Sequence, residues 1–157
     1  VHAYDPYVAD NIIRDAGAHI VNNLHDALPQ MDIVTLHCPL NKETTKLISK
    51  NELSLMKSSA ILVNTARGGV VDEVALYDAL SQNGIAAAGL DVFVTEPTDP
   101  AHPLLSLTNV IVSPHCAGVT RESTSRTSRI AAQNVLSTLD GSIKSFYVVN
   151  HEVLEQP

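Results

Sequence analysis

The sequence has few cysteines and few basic residues. Its two cysteines, Cys38 and Cys116, are too few and too far apart for the dense disulfide framework of small secreted domains, so we interpret both as free thiols. Ten lysines and arginines stand against 17 aspartates and glutamates, which gives a formal charge of -7. This balance provides no basic patch to attract a phosphate backbone, so we expect no nucleic-acid partner. A small metabolite is a better match.

Long apolar runs are also missing. No stretch approaches the roughly 20 apolar residues that span a bilayer, and residues 1–5 have neither the charged start nor the apolar run of a signal peptide. We therefore expect no membrane partner and a cytoplasmic location. With 157 residues, 45% of them hydrophobic, the chain has room for one ordinary globular domain.

Several catalytic and ligand-binding motifs are absent. There is no G-x-S-x-G elbow of a serine hydrolase, and neither Cys-x-x-Cys nor His-x-x-x-His for a metal site. The pairs His37-Cys38 and His115-Cys116 do not replace them, because neighbouring residues of an extended chain point to opposite sides. We therefore predict no metal site. The glycine-rich turn G-x-G-x-x-G of dinucleotide-binding domains is missing as well.

Short apolar runs alternate with segments of helical spacing. The runs are typical of parallel strands buried on both faces, and they are Ile33–Leu36, Ala60–Val63, Ala86–Leu90 and Val110–Val112. Two further short strands are predicted at Val1–Tyr4 and His19–Val21. The alternation indicates an α/β fold with a parallel sheet and helices on both faces.

Three helices are predicted, each followed by a helix breaker. They are Pro6–Ala16 with Gly17, Val71–Ser81 with Asn83-Gly84, and Thr120–Leu139 with Gly141. The helical spacing of the second is marked by Val71, Val74, Ala75, Asp78 and Ala79, and that of the third by Ile130, Val135 and Leu139.

Ligands of open parallel sheets bind at the carboxyl ends of the strands. The polar segments at these ends are Asp5, His37–Pro39, Asn64–Gly68, Asp91 and Ser113–His115. Arg67 presents a planar fork that matches a carboxylate, although a surface arginine paired with a neighbouring acid would have the same position. His115 can transfer a proton near neutral pH, although a lone histidine is more often structural.

Two acidic residues are candidates beside them. Glu96, in the loop after Asp91, can hold the His115 imidazole in one tautomer and favour its protonated form, although by itself it would be an ordinary loop acid. Asp5 lies where a dinucleotide-binding fold places the acid that accepts hydrogen bonds from the adenosine ribose.

Taken together, the segments resemble the D-isomer-specific 2-hydroxyacid dehydrogenase family over nearly the whole chain. The motifs that carry the resemblance, in chain order, are Tyr4-Asp5-Pro6, Asp32-Ile33-Val34, Leu36-His37-Cys38-Pro39-Leu40, Glu43-Thr44-Thr45, Met56-Lys57, Asn64-Thr65-Ala66-Arg67-Gly68-Gly69-Val70-Val71-Asp72-Glu73, Gly89-Leu90-Asp91-Val92-Phe93, Glu96-Pro97 and Pro114-His115. The resemblance implies an NAD-dependent oxidoreductase acting on a small 2-hydroxy or 2-keto acid.

The resemblance also implies roles for individual residues. Arg67 binds the substrate carboxylate, His115 is the acid and base at the C2 oxygen, and Glu96 pairs with His115. Asp5 binds the adenosine ribose, and because an acid there repels a 2′-phosphate, NAD is favoured over NADP. The complete set of expected cofactor-binding residues is Asp5, His37, Cys38, Pro39, Thr65, Ala66, Arg67, Asp91, His115 and Gly118.

By the same resemblance, residues 1–139 form a partial NAD-binding domain. The expected fold is a Rossmann-like doubly wound sheet that lacks its first strand and glycine-rich turn, and residues 140–157 return toward a substrate domain that this sequence lacks. We interpret the sequence as part of a longer protein, expected to be a homodimer. Two alternatives remain open: a non-catalytic NAD-sensing interaction protein of the corepressor type, and an inactive fragment.

Overall fold

A computed structural model describes residues 1–154. The chain divides into two compact units, Val1–Cys116 and a second that begins at Ala117. Within residues 1–154, no helix is both long enough and apolar enough to cross a membrane. The predicted division into residues 1–139 and 140–157 stays a prediction. Residues 155–157 of its second segment lie outside the described part of the chain.

The first unit contains two parallel sheets. A two-stranded sheet pairs β1 (His2–Ala3) with β2 (His19–Ile20). A four-stranded sheet has the order β3-β4-β5-β6, with strands Ile33–Leu36, Ile61–Asn64, Ala87–Leu90 and Val110–Val112. The predicted strands are thus present within one or two residues of their expected bounds, and the predicted parallel pairing is confirmed. β1 and β3 belong to separate sheets.

Among residues 1–154, five α-helices connect or follow these strands. They are α1 (Asp10–Asp15), α2 (Leu24–Ala27), α3 (Lys50–Leu55), α4 (Glu73–Ser81) and α5 (Arg121–Leu139). Short 3-10 helices occur at Leu28–Gln30, Gly68–Val70, Pro103–Ser106, Ser145–Tyr147 and His151–Leu154. The helices α2 and α3 were not predicted. The signal for α3 is its capping box, in which Ser49 and Glu52 satisfy each other's backbone N–H groups.

The helix starts differ from the prediction for local reasons. α1 begins at Asp10 rather than Pro6, because Asp5 Oδ1 accepts hydrogen bonds from the backbone N–H groups of Tyr7 (2.9 Å) and Val8 (3.2 Å) and holds this segment in a turn. α4 begins after Asp72, whose carboxylate caps the helix.

The helix stops agree with the prediction. Gly17 and Gly141 adopt the left-handed conformation, with φ of 78° and 74°, directly beyond the ends of α1 and α5. This conformation is favourable for glycine because it lacks a Cβ.

The core lies between one face of the four-stranded sheet and helices α3 and α4. On α4, the buried residues are Leu76 and Leu80. Val74, one of the residues whose spacing predicted this helix, is 74% exposed. The sheet contributes Leu62 and Leu90 to the same cluster. Burial of these side chains is the main stabilising contribution to the unit.

Three isoleucines of the other face of the sheet have exposed side chains. Ile33, Ile61 and Ile111 point to this face and are 61%, 37% and 79% exposed. The prediction that the strands are buried on both faces is therefore wrong for the described residues.

Candidate active site

The ends of the four strands lie side by side. Leu36, Asn64, Leu90 and Val112 are paired across the sheet, so the chain leaves all four strands at one edge. The predicted site residues that follow these strands are His37, Cys38 and Pro39, then Thr65, Ala66 and Arg67, then Asp91, and finally His115. This edge is where ligands bind to open parallel sheets.

His115 and Glu96 form a direct pair. His115 Nδ1 lies 2.7 Å from Glu96 Oε2, and the two side chains are 48% and 36% exposed. The other oxygen, Glu96 Oε1, accepts the backbone N–H of Phe93 at 2.9 Å. The His115 hydrogen bond, followed by that of the Phe93 N–H, holds the pKa of Glu96 below its ordinary value. Glu96 is therefore a carboxylate at neutral pH, and because it only accepts hydrogen bonds, His115 Nδ1 carries a proton.

Asp91 fixes the loop that carries His115. Its side chain is buried, and Oδ1 accepts from the hydroxyl of Ser113 and from the backbone N–H of Cys116 at 2.8 Å. Its backbone oxygen accepts the N–H of His115 at 2.9 Å. Asp91 thus holds the chain on both sides of His115, whose φ of 51° lies in the left-handed region. A non-glycine residue keeps this conformation where surrounding bonds enforce it.

Arg67 leaves the end of β4 through a turn held by a buried asparagine. Asn64 Oδ1 accepts the N–H of Ala66, and Asn64 Nδ2 donates to the backbone oxygen of Arg67, each at 3.0 Å. The Arg67 side chain is exposed, and its Nη1 donates to the Ala66 oxygen at 2.6 Å. A guanidinium has five N–H donors, so this bond leaves others for a ligand.

Gly68 brings the Arg67 turn against the loop that carries Glu96. A Cβ at Gly68 would lie 2.0 Å from the carbonyl carbon of Phe93 and 2.3 Å from the nitrogen of Val94. Real Cβ atoms do not approach other atoms so closely, so the two backbones can meet only because residue 68 is glycine. Arg67 and Glu96 are therefore positioned by the same backbone contact.

A cavity of about 670 Å³ lies beside the imidazole and carboxylate pair. Asp91, Glu96 and His115 contribute its ionisable groups, and the apolar part of the wall includes Leu105 and Val112. A mostly apolar cavity with a few convergent polar groups is typical of a site for a small molecule.

On the side of the expected adenosine, Asp5 lies near the loop that follows β3. Burial raises the pKa of the Cys38 thiol, an effect that a backbone hydrogen bond opposes and the charge of Asp5 reinforces. The Tyr7 hydroxyl donates to the carboxylate of Glu43, which links the same two loops. Gly118 lies in the second unit, where its oxygen accepts a hydrogen bond from Ser123 at 2.7 Å.

The structure thus brings His115 and Glu96 into contact and places Arg67 next to Gly68, whose backbone contacts the loop that carries Glu96. The cofactor roles of the other predicted residues stay predictions. Sequence reasoning gave no role to Asn64 as the holder of the Arg67 turn or to Ser113 as a partner of Asp91. Their position at strand ends was the available signal, but hydrogen-bond partners do not follow from position alone.

Known proteins resemble this chain in sequence and in fold. Residues 1–117 match the family model for the D-isomer specific 2-hydroxyacid dehydrogenase, NAD binding domain. A glyoxylate reductase of Aeropyrum pernix is 45% identical over 144 residues, which cover 92% of this chain and 42% of that protein. A D-3-phosphoglycerate dehydrogenase of Archaeoglobus fulgidus is 42% identical over 141 residues, 90% of this chain and 27% of that protein.

A solved structure agrees in fold. D-lactate dehydrogenase with NAD+ from Lactobacillus jensenii has a TM-score of 0.82 at 34% identity, covering 91% of this chain and 46% of that one. The chain spans less than half the length of these three proteins. The predictions of an α/β Rossmann-like fold and of NAD as the cofactor are confirmed. The chain belongs to the D-isomer-specific 2-hydroxyacid dehydrogenase family, and its first 117 residues match the NAD-binding domain of that family.

Proposed function

We propose that the full-length protein transfers a hydride between NAD(H) and a small D-2-hydroxy acid or its 2-keto acid. The observation that carries this proposal is the hydrogen bond between His115 Nδ1 and Glu96 at the edge of a cavity. With Nδ1 committed to the carboxylate, Nε2 is the nitrogen that exchanges a proton with a substrate oxygen.

The residues at the strand ends are suited to hold NAD. Asp5 is exposed after β1, and its carboxylate can accept hydrogen bonds from the ribose hydroxyls while repelling a 2′-phosphate. Thr65 and Arg67 are exposed after β4, where they can line the nicotinamide end together with Asp91. Bound there, the cofactor supplies the hydride for the keto carbon.

Arg67 is proposed to bind the substrate carboxylate. Its guanidinium is exposed at the sheet edge, and two parallel N–H groups match the two oxygens of a carboxylate. Holding the acid in one orientation fixes the position of its C2 oxygen, which is catalysis by positioning.

His115 is proposed to donate a proton from Nε2 to the C2 oxygen during reduction and to accept it during oxidation. The Glu96 carboxylate keeps the imidazole in the orientation and tautomer that this transfer needs, and it stabilises the charge when both nitrogens are protonated. Glu96 acts through His115, whereas Arg67 and His115 meet the substrate directly.

A dehydrogenase is favoured over the two alternatives. The relatives described above bear enzyme names, glyoxylate reductase and D-3-phosphoglycerate dehydrogenase, which supports catalysis over cofactor sensing alone. Their names suggest glyoxylate and D-3-phosphoglycerate as substrates to test, and hydroxypyruvate and pyruvate extend the series to other small 2-keto acids. A homodimer and a cytoplasmic location belong to the same proposal, and light scattering of the purified protein tests the dimer.

The test is turnover by the full-length protein. Oxidation of NADH is measured with glyoxylate, hydroxypyruvate and pyruvate, and NADPH replaces NADH in a parallel series. We expect turnover with at least one keto acid and a preference for NADH. NADH binding without turnover on any of the three would favour the cofactor-sensing alternative, and the absence of both would favour an inactive protein.

A further inference from the structure

A second pair of a carboxylate and an imidazole, Glu73 and His102, contacts the loop that carries Glu96. His102 Nε2 is 3.3 Å from Glu73 Oε2, and these side chains are only 21% and 19% exposed. His102 Nδ1 accepts the backbone N–H of Leu104 at 3.3 Å, so Nε2 is the nitrogen that carries the proton and donates to Glu73. The proposed reaction uses neither residue.

Glu73 also holds the backbone of the loop that carries Glu96. Its Oε1 accepts the N–H of Val94 at 2.7 Å. The preceding residue, Phe93, donates its own N–H to Glu96 Oε1. Glu73 is therefore linked to His115 in three steps. It binds the backbone at Val94, the adjacent Phe93 binds Glu96, and Glu96 binds His115.

The His102 ring supports the same loop from the side. Its centroid is 5.3 Å from that of Phe93, with the ring planes at 74°, which is a favourable edge-to-face contact. Glu73 itself stands on the first turn of α4, a helix anchored in the core by Leu76 and Leu80. The loop is thus tied to a rigid element rather than to another loop.

The geometry points to Glu73 and His102 as positioning residues, which hold residues 93–96 so that Glu96 meets His115 Nδ1. This inference rests on the proposed function, because it assigns the pair a part in the same site. A carboxylate at residue 73 has two oxygens and so accepts from Val94 and from His102 at once. An amide has one oxygen and cannot replace both bonds.

Glu73→Gln in the full-length protein tests the inference, because it preserves the size of the side chain. The matched control is Asp78→Asn, an exposed carboxylate on the same helix. We expect Glu73→Gln to lower kcat about 10-fold, since small displacements of catalytic groups are costly, with the KM for the keto acid and the Kd for NADH changed less than about twofold. The control should match the wild type in all three quantities.

Titration of Glu96 provides a readout that needs no turnover. In the wild type, the His115 and Phe93 hydrogen bonds lower the pKa of Glu96, while partial burial and, to a smaller extent, the charge of Asp91 oppose them. If Glu73 holds this segment, the pKa of Glu96 rises toward its ordinary value in Glu73→Gln and stays low in Asp78→Asn. Carboxyl carbon shifts in selectively labelled protein measure it.

The outcomes separate this inference from the proposed function. An unchanged kcat together with an unchanged Glu96 titration, even with a lower Tm, would overturn the positioning role and leave Glu73 as a purely structural residue. An equal loss of activity in Asp78→Asn would also overturn it, because the effect would then belong to the helix as a whole. If the wild type shows no turnover but Glu73→Gln still shifts the Glu96 titration, the positioning role survives and the proposed reaction does not.

Discussion

Two pairs of the same chemistry, Glu96 with His115 and Glu52 with His25, have different surroundings. Their N–O distances are 2.7 Å and 2.8 Å. Glu52 belongs to the capping box of α3, and its other oxygen accepts from the backbone N–H and the hydroxyl of Ser49. Glu96 instead connects a loop N–H to a histidine in the left-handed conformation, beside a cavity at the carboxyl edge of the sheet.

The comparison shows that a carboxylate beside an imidazole does not by itself identify an active site. Glu52 has only an 11% exposed side chain and stabilises the start of a helix. The pair at His115 differs in its position, because a strand end, a cavity and a nearby arginine turn are present together. The predictions below test whether this difference in surroundings separates a catalytic pair from a structural one.

The largest expected effect is on kcat, and it distinguishes His115 from His25. In the full-length protein, His115→Ala should lower kcat by about 100- to 10,000-fold, because the acid and base is lost, while NADH binding stays nearly intact. His25→Ala should leave kcat close to that of the wild type. Steady-state kinetics and NADH titration measure both. Equal loss of turnover and of NADH binding in His115→Ala would contradict its role as the acid and base.

Arg67→Lys sharpens the comparison on the side of the substrate. A lysine keeps the positive charge but cannot form the two parallel hydrogen bonds of a guanidinium. We expect the KM for the keto acid to rise and kcat to fall, with kcat/KM lowered about 10- to 100-fold. An unchanged KM in initial-rate measurements would show that Arg67 does not touch the carboxylate.

The smallest expected effect is on the stability of the fold. It concerns Glu52, the carboxylate of the pair with His25, and it depends on pH. Burial by itself raises the pKa of Glu52, but hydrogen bonds from Ser49, from the backbone and from His25 outweigh it and lower the pKa from 4.5 to about 2. The ionised Glu52 therefore stabilises the fold above about pH 4.5, and this contribution disappears as the pH falls toward 2.

Glu52→Gln isolates this contribution from those of the other carboxylates. We expect the variant to be about 1–2 kcal/mol less stable than the wild type at pH 7, a difference that shrinks at low pH, with kcat at pH 7 unchanged. Urea unfolding of both proteins across the pH range measures it. A difference that is constant with pH would show that the charge of Glu52 does not stabilise α3.

Local patterns predicted the strands because short runs of consecutive apolar residues favour strands of a parallel sheet, as in Ile33–Leu36 and Val110–Val112, whose bounds agree with the structure. They failed where a side chain competes with the helix, as Asp5 does for the turn before α1. They also missed α3, which has only six residues and a start signalled by Ser49 and Glu52 rather than by periodicity.

The candidate site was predicted to a different extent. Arg67, Glu96 and His115 were found from strand ends and from motifs, and the structure places Glu96 on His115. The contacts of Glu73 with Val94 and with His102 join residues 21 and 29 positions apart. No local pattern encodes such a pairing, because it depends on how α4 packs against the loop after β5.

The sequence by itself determined the family, the parallel strands and the identity of the residues at their carboxyl ends, because these follow from local composition and from the order of motifs along the chain. The tertiary structure decided which of those residues meet. It bonded Asp91 to the backbone N–H groups of His115 and Cys116, packed Gly68 against Phe93, and bonded Glu73 to the loop that carries Glu96. Such contacts arise from the packing of distant segments around a shared core, where hydrogen bonds and close approach select one partner among many with the same chemistry.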